Sequence, residues 1–355
     1  MTAVATGPAL GALVRDIVRD HLPKRQTRTV VVAMSRDANP KATVMVFVDG
    51  APSPLLALKV GLTDGACRSV EAEARALRAL AAVDPTMVHH TAPRCLELRD
   101  APLGTALVMT ARTGVPMNVD YHRWRHNSKP ERVRHDFARA DRWLRQLALR
   151  TGPSAVPLRW ADAIRARFPS DVVGEYVAGA IQPIERELEG PDLCAVVHGD
   201  FWCGNILHTA GVVSGVVDWE HAMVGGDPVR DRARFVLSHS LYLDRHTRAG
   251  SRVHGHEGLL AGPWGAGIRY AMQGQGWYPE LVAGFVSAGV EATGRSPALC
   301  RRDRYTGIDA WRGRRDPTTF ARAVAERKRD CAQAQTRCGT KKDARPDWRT
   351  SSALP

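Results

Sequence analysis

The sequence lacks long apolar runs. No stretch approaches the ~18–20 apolar residues that a membrane-spanning helix needs, so no transmembrane segment is expected. The N-terminal stretch also lacks the apolar core of a secretory signal, because Arg15 and Asp16 interrupt it. Its apolar residues instead recur at helical spacing, which predicts an amphipathic first helix. These positions are Leu10, Leu13, Val14, Ile17 and Val18.

Cysteines in an ordered pattern are also missing. The seven cysteines are odd in number and widely spaced, and no C-x-x-C occurs. Disulfide frameworks and zinc sites usually show cysteines paired at short, regular spacing. The pattern therefore argues against both kinds of site and fits a reducing cytoplasm. No internal repeat of fixed period is present either.

Acidic residues are too few to balance the basic ones, and the net charge is +13. The segment from Cys300 to Pro355 contains 15 Lys and Arg and 7 Asp and Glu, so it accounts for +8 of this net charge. We therefore expect a basic, disordered, solvated tail at 331–355 rather than a basic domain surface, which makes nucleic-acid binding an unfavoured function. The alternative is a nucleic-acid contact by this Arg-rich end, which salt would weaken steeply.

The rest of the chain changes character along its length. Three β-rich runs separated by turn residues predict an antiparallel meander, and a helix with Leu77 and Leu80 on one face follows. Helical patterns dominate after Gly114 and Pro116, where regular structure is interrupted. In chain order, the predicted strands are 29–34, 43–48, 55–60, 105–110, 195–197 and 212–217, and the predicted helices are 69–82, 130–150, 161–168 and 172–188.

Polar residues that could carry chemistry are concentrated between 195 and 231. Asp200 follows a short apolar run, Asn205 lies five residues later, and Asp218 ends the next apolar run. If the polar turn at 208–211 closes a hairpin, Asn205 and Asp218 meet at its open end. Two carboxylates and an amide oxygen form a hard ligand set that suits Mg²⁺.

The pattern H-G-D-x-x-x-x-N, followed by D-W-E and G-D-P-x-x-D, resembles the signature of aminoglycoside phosphotransferases and choline-kinase-like small-molecule kinases. It is also similar to the catalytic loop of protein kinases. The resemblance implies an α+β, bilobal, protein-kinase-like fold. The small antiparallel-sheet N-lobe would span 1–110 and the larger, mainly helical C-lobe 111–330. The matching residues are His198-Gly199-Asp200, Asn205, Asp218-Trp219-Glu220, Gly226-Asp227-Pro228 and Asp231.

The resemblance also implies a role for each residue. Asp200 would accept the proton of the substrate hydroxyl, and Asn205 and Asp218 would hold Mg²⁺. His198 would brace the loop, and Asp231 would tie the start of a helix to it. Position matters more than basicity for Asp200, because phosphoryl transfer depends mainly on positioning and charge stabilisation.

Kinases also hold the nucleotide phosphates with a strand lysine that a helical glutamate positions. Lys59 lies at the end of the third β-rich run and Glu73 lies in the helix that follows, so they are the candidate pair. Glu71 is the competing partner, but it lies on a different side of that helix.

A glycine-rich phosphate loop is missing, since no G-x-G-x-x-G precedes Lys59. The polar loop between the first two strands offers Ser35 and Asn39 as phosphate-loop candidates. The backbone from Thr110 to Arg112 would read the adenine. ATP is the expected nucleotide, and the missing glycines leave GTP open.

The predicted function is ATP- and Mg²⁺-dependent phosphorylation of a hydroxyl group on a small molecule. The acceptor would be a sugar, an amino alcohol, or an aminoglycoside or other antibiotic. The Arg- and His-rich stretch after Leu241 favours a neutral or anionic acceptor over a polycation. The alternative is a kinase-like pseudoenzyme that binds nucleotide as a regulatory protein, although Lys59, Asp200, Asn205 and Asp218 are all present.

Two further features bear on the same region. The segment from His254 to Glu257 contains two histidines, but without partners at ligand spacing it does not predict a metal site. Arg232 occupies a position that is usually aliphatic in the family that the sequence resembles.

Overall fold

The computed structural model describes residues 6–34, 39–84, 90–151, 154–155, 160–187, 193–262 and 265–292. By its internal contacts the chain divides into two units, Met1–Pro297 and Ala298–Pro355. The described elements all belong to the first unit. The predicted basic tail lies outside the described residues. Among the described helices, none is long and apolar enough to cross a membrane.

An antiparallel sheet of five strands forms the first part of the chain. The strands are β1 (Thr27–Met34), β2 (Lys41–Val48), β3 (Leu56–Gly61), β4 (Cys95–Ala101) and β5 (Gly104–Thr110). Their order across the sheet is β1-β2-β3-β5-β4. The four strands predicted in this part are confirmed within two residues at each end. The edge strand β4 was not predicted, because its sequence C-L-E-L-R-D-A mixes apolar and charged side chains that all remain partly or fully exposed.

A helix covers each face of the sheet. The first, α1 (Thr6–His21), places Ile17 in a buried cluster with Leu58 of β3. The second, α2 (Asp64–Val83), places Leu77 in a cluster with Ala57 of β3 on the opposite face. Burying each such leucine or isoleucine contributes roughly 1.5–3 kcal/mol. Both helices therefore anchor β3 at the centre of this lobe.

The helix α2 begins earlier than the predicted start at 69, because a polar residue caps it. Thr63 is the N-cap, and its Oγ1 accepts a hydrogen bond from the backbone N–H of Ala66 at 3.3 Å. Such a cap satisfies one of the unpaired N–H groups of the first turn. The helix consequently starts at Asp64, close to the end of β3.

Alternation along β3 decides where Lys59 points. Leu58 and Val60 join the cluster under α1, whereas Ala57 joins the cluster under α2. Because successive strand residues point to opposite faces, Lys59 shares the face of Ala57 and is directed toward α2.

A short connector leads from β5 into the second part of the chain. It contains β6 (Val115–Pro116) and α3 (Met117–Tyr121). The backbone N–H of Asn118 donates to the carbonyl oxygen of Cys203 at 3.0 Å. The connector is therefore tied to the loop that carries Asp200.

The second part of the chain is mainly helical, as predicted. The helices are α4 (Pro130–Thr151), α5 (Trp160–Arg167), α6 (Val172–Glu187), α7 (Pro228–Ser240), α8 (Ala266–Gln273) and α9 (Trp277–Ala292). The three helices predicted between residues 130 and 188 are confirmed within one residue at each end. Phe137 of α4, Phe235 of α7 and Phe285 of α9 hold these helices together, with ring centroids 5.1–5.5 Å apart.

Short strands support the loops between the helices. They are β7 (Ser154–Ala155), β8 (Leu193–Val197), β9 (Ile206–Thr209), β10 (Val212–Val216), β11 (Met223–Gly226), β12 (Arg252–Val253) and β13 (His256–Leu260). The small sheets have the orders β11-β8-β7 and β10-β9-β6. The β9–β10 hairpin was predicted, whereas the β12–β13 hairpin lies in a stretch that looked loop-like.

The architecture is α+β with a sheet lobe and a helical lobe, which confirms the predicted protein-kinase-like fold.

Candidate active site

Lys59 and Glu73 form a buried ion pair. The Nζ atom of Lys59 lies 2.8 and 2.7 Å from the two carboxylate oxygens of Glu73. It also contacts the carboxylate of Asp218, which arrives from the helical lobe. Burial lowers the pKa of Lys59, but the carboxylates of Glu73 and Asp218 raise it more, so the pKa is raised overall. Lys59 is therefore a fixed cation at the junction of the two lobes.

The structure distinguishes Glu73 from its competitor Glu71. Glu71 is 37% exposed in its side chain and lies 3.8 Å from Arg75 on the outer side of α2. Glu73 is fully buried and accepts a third hydrogen bond, from the backbone N–H of Trp219 at 3.2 Å. Of the two glutamates, Glu73 is the one in contact with Lys59.

The loop that carries Asp200 is held from behind by Asp231. One oxygen of Asp231 accepts the N–H of His198 at 2.7 Å and the other the N–H of Gly199 at 2.8 Å. Asp231 lies in the first turn of α7, so it links the start of this helix to the loop. Burial raises the pKa of Asp231 to about 6, although the two N–H donors lower it.

Gly199 is required by the shape of this loop. Its φ is +79°, and a Cβ atom there would collide with the backbone carbonyl of His221. A side chain would be strained by both the dihedral and the contact. The central glycine of the H-G-D sequence thus has a structural explanation.

His198 braces the loop as a neutral side chain. Its Nε2 lies 2.9 Å from the carbonyl oxygen of Val217, while its Nδ1 accepts the N–H of Asp200 at 3.3 Å. The ring therefore donates from Nε2 and accepts at Nδ1. Burial lowers the pKa of His198 to about 4, which keeps the ring uncharged near neutral pH.

Asp200 is held through both carboxylate oxygens. The Nδ2 atom of Asn205 donates to its Oδ2 at 3.2 Å and to its backbone oxygen at 3.0 Å. The Nε atom of Arg234 donates to its Oδ1 at 2.6 Å. Asp200 and Arg234 remain 26% and 40% exposed in their side chains, so this carboxylate is open to a ligand.

The β9–β10 hairpin brings Asn205 and Asp218 to the same end, as the spacing predicts. The N–H of Val217 donates to the carbonyl oxygen of Asn205 at 3.0 Å, one residue before Asp218. Asp218 has a φ of +66°, an uncommon value for a residue other than glycine. Such strained positions are often found at functional sites.

Side-chain oxygens of Asn205 and Asp218 fit a hard divalent cation. The Nδ2 group of Asn205 is engaged by Asp200, which directs its Oδ1 away from that residue. Asp218 is paired with Lys59, and its pKa is lowered by that lysine against the raising effect of burial. An ionised carboxylate beside an amide oxygen suits Mg²⁺.

A second lysine that the motif does not include lies beside Lys59. Lys41 at the start of β2 contacts the carboxylate of Glu220, which also accepts the hydroxyl of Ser69 at 2.8 Å. Strand pairing places Thr43 opposite Lys59, so Lys41, two residues away, lies on the same face. Pairing the predicted strands β2 and β3 was the signal that could have found it.

The proposed phosphate loop is only partly described. Ser35 lies outside the described residues, whereas Asn39 packs against the first turn of α2, where a Cβ atom on Gly65 would overlap its side chain. This contact places Asn39 at the N-terminus of α2.

The connector residues proposed to read the adenine are tied to the sheet lobe. The N–H of Thr110 donates to the carbonyl of Arg94 at 3.0 Å, and the N–H of Ala111 to the carbonyl of Leu55 at 3.0 Å. The Arg112 side chain packs near Gly215 of β10, and burial lowers its pKa. The N–H groups of Thr110 and Ala111 are therefore both engaged within the sheet lobe.

A family model described as the phosphotransferase enzyme family matches residues 46–250, more than half of the chain. No curated protein sequence matches the chain significantly.

Solved structures with similarity to the chain include aminoglycoside phosphotransferase APH(2'')-Ib in its ADP-bound form. That match has 14% identity, covers 89% of this chain and 96% of the other, and has a TM-score of 0.44. A thermostable mutant of APH(4)-Ia, in ternary complex with ADP and hygromycin B, matches at 16% identity over 93% and 99% of the two chains, with a TM-score of 0.43. Aminoglycoside-3'-phosphotransferase of type VIII matches at 21% identity over 79% and 98%, with a TM-score of 0.42.

Proposed function

Because the chain belongs to the phosphotransferase enzyme family, we propose that it transfers the γ-phosphoryl group of ATP to a hydroxyl group of a small molecule, with Mg²⁺. One observation carries this proposal. The Lys59–Glu73 pair of the sheet lobe meets Asp218 of the helical lobe, and Asp218 shares a hairpin end with Asn205. A phosphate-binding cation and a set of oxygen ligands thus converge on one point.

The nucleotide would bind at this convergence. Lys59, held by Glu73, would donate to the α- and β-phosphates, as strand lysines do in kinases. Lys41 lies on the same face and adds positive charge next to the same phosphates. Thr110 to Arg112 would lie along the base, with Ser35 and Asn39 on the phosphate side.

Asn205 and Asp218 would hold Mg²⁺ through their side-chain oxygens. The ion, when bound, neutralises negative charge that develops on the phosphate oxygens. Lys59 and Asp218 are in contact in this structure, so the carboxylate that would hold Mg²⁺ lies beside the lysine that would bind the phosphates.

Asp200 would receive the proton of the acceptor hydroxyl. Asn205 and Arg234 hold its two oxygens, and Asp231 holds the loop behind it, so the carboxylate has a fixed position. Fixed geometry is the main requirement of phosphoryl transfer. Sugars, amino alcohols, and aminoglycosides or other antibiotics are the acceptor classes that we propose to test.

ADP release tests the proposal. Purified full-length chain is incubated with Mg-ATP or Mg-GTP and a panel of hydroxyl compounds, and Asp200→Asn is expected to lose roughly 10²–10⁴-fold in kcat. The matched control is Asp16→Asn, an exposed surface carboxylate paired with Arg19, which should retain full activity. Full transfer activity in Asp200→Asn would overturn the assignment. Absence of thermal stabilisation by either nucleotide would instead favour a non-catalytic protein.

A further inference from the structure

Arg234 is a cation placed directly at the candidate catalytic carboxylate. It lies on α7 three residues after Asp231, so both side chains lie on the helix face that meets the Asp200 loop. Its Nε donates to Asp200 at 2.6 Å. Among the residues that the structure describes, none accepts a hydrogen bond from its Nη atoms. The Nη atoms of its guanidinium can therefore donate hydrogen bonds to a ligand beside Asp200.

Further cations lie in two exposed segments that contact each other. The ring centroids of Trp124 and His246 are 6.1 Å apart, and Arg125 lies over the Trp124 ring at 5.8 Å. We call these two segments, residues 122–125 and 245–248, the basic rim. Its basic residues are His122, Arg123, Arg125, Arg245, His246 and Arg248.

The connector joins the basic rim to the Asp200 loop. The rings of Tyr121 and Tyr242 lie with their centroids 6.0 Å apart, and the backbone N–H of Asn118 donates to the carbonyl oxygen of Cys203 at 3.0 Å. Tyr242 in turn lies under Arg245, whose guanidinium is 5.5 Å from the ring centroid. Direct contacts thus link the basic rim to Cys203, which lies in the Asp200 loop.

The carboxylates near the rim are already engaged. Asp120 lies 3.2 Å from Arg123 and 3.0 Å from His208, and Asp244 accepts the N–H of Gly262 at 3.3 Å. Asp200 itself is paired with Arg234. The positive charges here would therefore repel a polycationic acceptor rather than attract it.

We propose that the acceptor carries an anionic group, a carboxylate or a phosphate, close to the hydroxyl that is phosphorylated, and that Arg234 binds this group through its Nη atoms. Arginine binds both anions by paired, charge-assisted hydrogen bonds. The inference rests on the proposed function, since it names the class of acceptor for that site. Arg234 is thereby a specificity-determining residue that also holds Asp200.

A matched set of hexose compounds tests the charge preference. D-glucose, D-glucosamine, D-gluconate and D-glucose 6-phosphate offer similar hydroxyl groups with neutral, cationic, carboxylate and phosphate character. ADP release with Mg-ATP is measured for each compound with the wild type, with Arg234→Gln and with Arg230→Gln. Arg230 is the control because it lies on the same helix and contacts Met223 instead.

The wild type should show a KM for at least one anionic compound roughly tenfold or more below that for glucose, and Arg234→Gln should abolish this preference through KM. Arg230→Gln should keep it. A preference for glucosamine or glucose, or an equal loss in both variants, overturns the anionic acceptor. ATP consumption that persists in Asp200→Asn overturns the phosphotransferase proposal instead, so the two failures are distinguishable.

If none of the four compounds is phosphorylated, inorganic phosphate is the probe. It is titrated calorimetrically into full-length chain saturated with Mg²⁺ and a non-hydrolysable ATP analogue, so that the nucleotide site is filled. Binding should be roughly tenfold or more weaker in Arg234→Gln than in Arg230→Gln. Equal affinity in the two variants, or no binding to the wild type, overturns the inference.

Discussion

The nucleotide side and the acceptor side of the candidate site are built differently. On the nucleotide side, Lys59 and Glu73 are 8% and 0% exposed and share two hydrogen bonds. On the acceptor side, Arg234 and Asp200 are 40% and 26% exposed and share one. Removing one partner of a buried pair leaves an uncompensated charge, whereas water compensates an exposed one. The nucleotide side should therefore be costly to alter, and the acceptor side should change specificity at little cost in stability.

The strongest test of this contrast is Glu73→Gln. It leaves the ammonium of Lys59 buried with Asp218 as its remaining partner, so we expect a loss of about 3 kcal/mol in the free energy of unfolding. Glu71→Gln on the same helix removes an exposed carboxylate and should cost less than about 0.5 kcal/mol. Urea unfolding of both variants measures the difference. Equal losses would show that burial does not separate the two glutamates.

A pH titration examines the loop between the two sides. Burial lowers the pKa of His198 to about 4, below the ordinary value of 6.5. As the pH falls, His198 is therefore protonated in the unfolded chain before it is protonated in the folded chain. The stabilisation from neutral His198 is complete above pH 6.5 and is lost as the pH falls toward 4. By linkage it amounts to about 3 kcal/mol.

Burial raises the pKa of Asp231 to about 6, so this residue changes the free energy of unfolding with pH in the opposite direction. Comparing the wild type with His198→Gln removes the Asp231 contribution, because both proteins contain it. The stability advantage of the wild type should shrink between pH 6.5 and 4. His221→Gln removes an exposed imidazole from the neighbouring segment and is the matched control. A pH-independent advantage would mean that His198 is not held neutral by burial.

The same contrast explains how far the sequence could predict the site. The period of β3 and the spacing of α2 are sufficient to direct Lys59 and Glu73 toward each other, because burial enforces both patterns. The hairpin that joins Asn205 to Asp218 also follows from local turn chemistry. Lys41 needed one further step, the register between β2 and β3.

Contacts between distant helices could not be predicted in this way. Arg232, unusual for its position, is buried and lies 2.6 Å from Asp141 of α4 while donating to the carbonyl of Phe285 at 2.8 Å. Gly289 of α9 leaves room for it, since a Cβ atom there would overlap the arginine. Neither partner is close in sequence, and the same holds for Arg234 and Asp200. Such pairs depend on tertiary packing, which period and spacing do not encode.

A smaller effect is expected at Lys41, whose ion pair is more exposed than Lys59–Glu73 and less exposed than Arg234–Asp200. Lys41 and Glu220 are 19% and 17% exposed, so Lys41→Gln should cost about 1 kcal/mol in the free energy of unfolding. Because Lys41 lies on the face of Lys59, the KM for ATP should also rise several-fold. Arg28→Gln removes an exposed cation of the same sheet, paired with Asp49 at 3.3 Å, and should leave the KM unchanged. An unchanged KM in Lys41→Gln would limit this lysine to linking the lobes.

The smallest effect on stability is expected for Arg234→Gln, at the exposed end of the comparison. Water can replace the guanidinium at Asp200, so the loss in the free energy of unfolding should stay below about 1 kcal/mol. Urea unfolding alongside Glu73→Gln gives the comparison directly. A loss of similar size in both variants would show that Asp200 depends on Arg234 for folding as Glu73 depends on Lys59. A small loss, combined with a changed acceptor preference, would show that stability and acceptor specificity reside in different parts of one site.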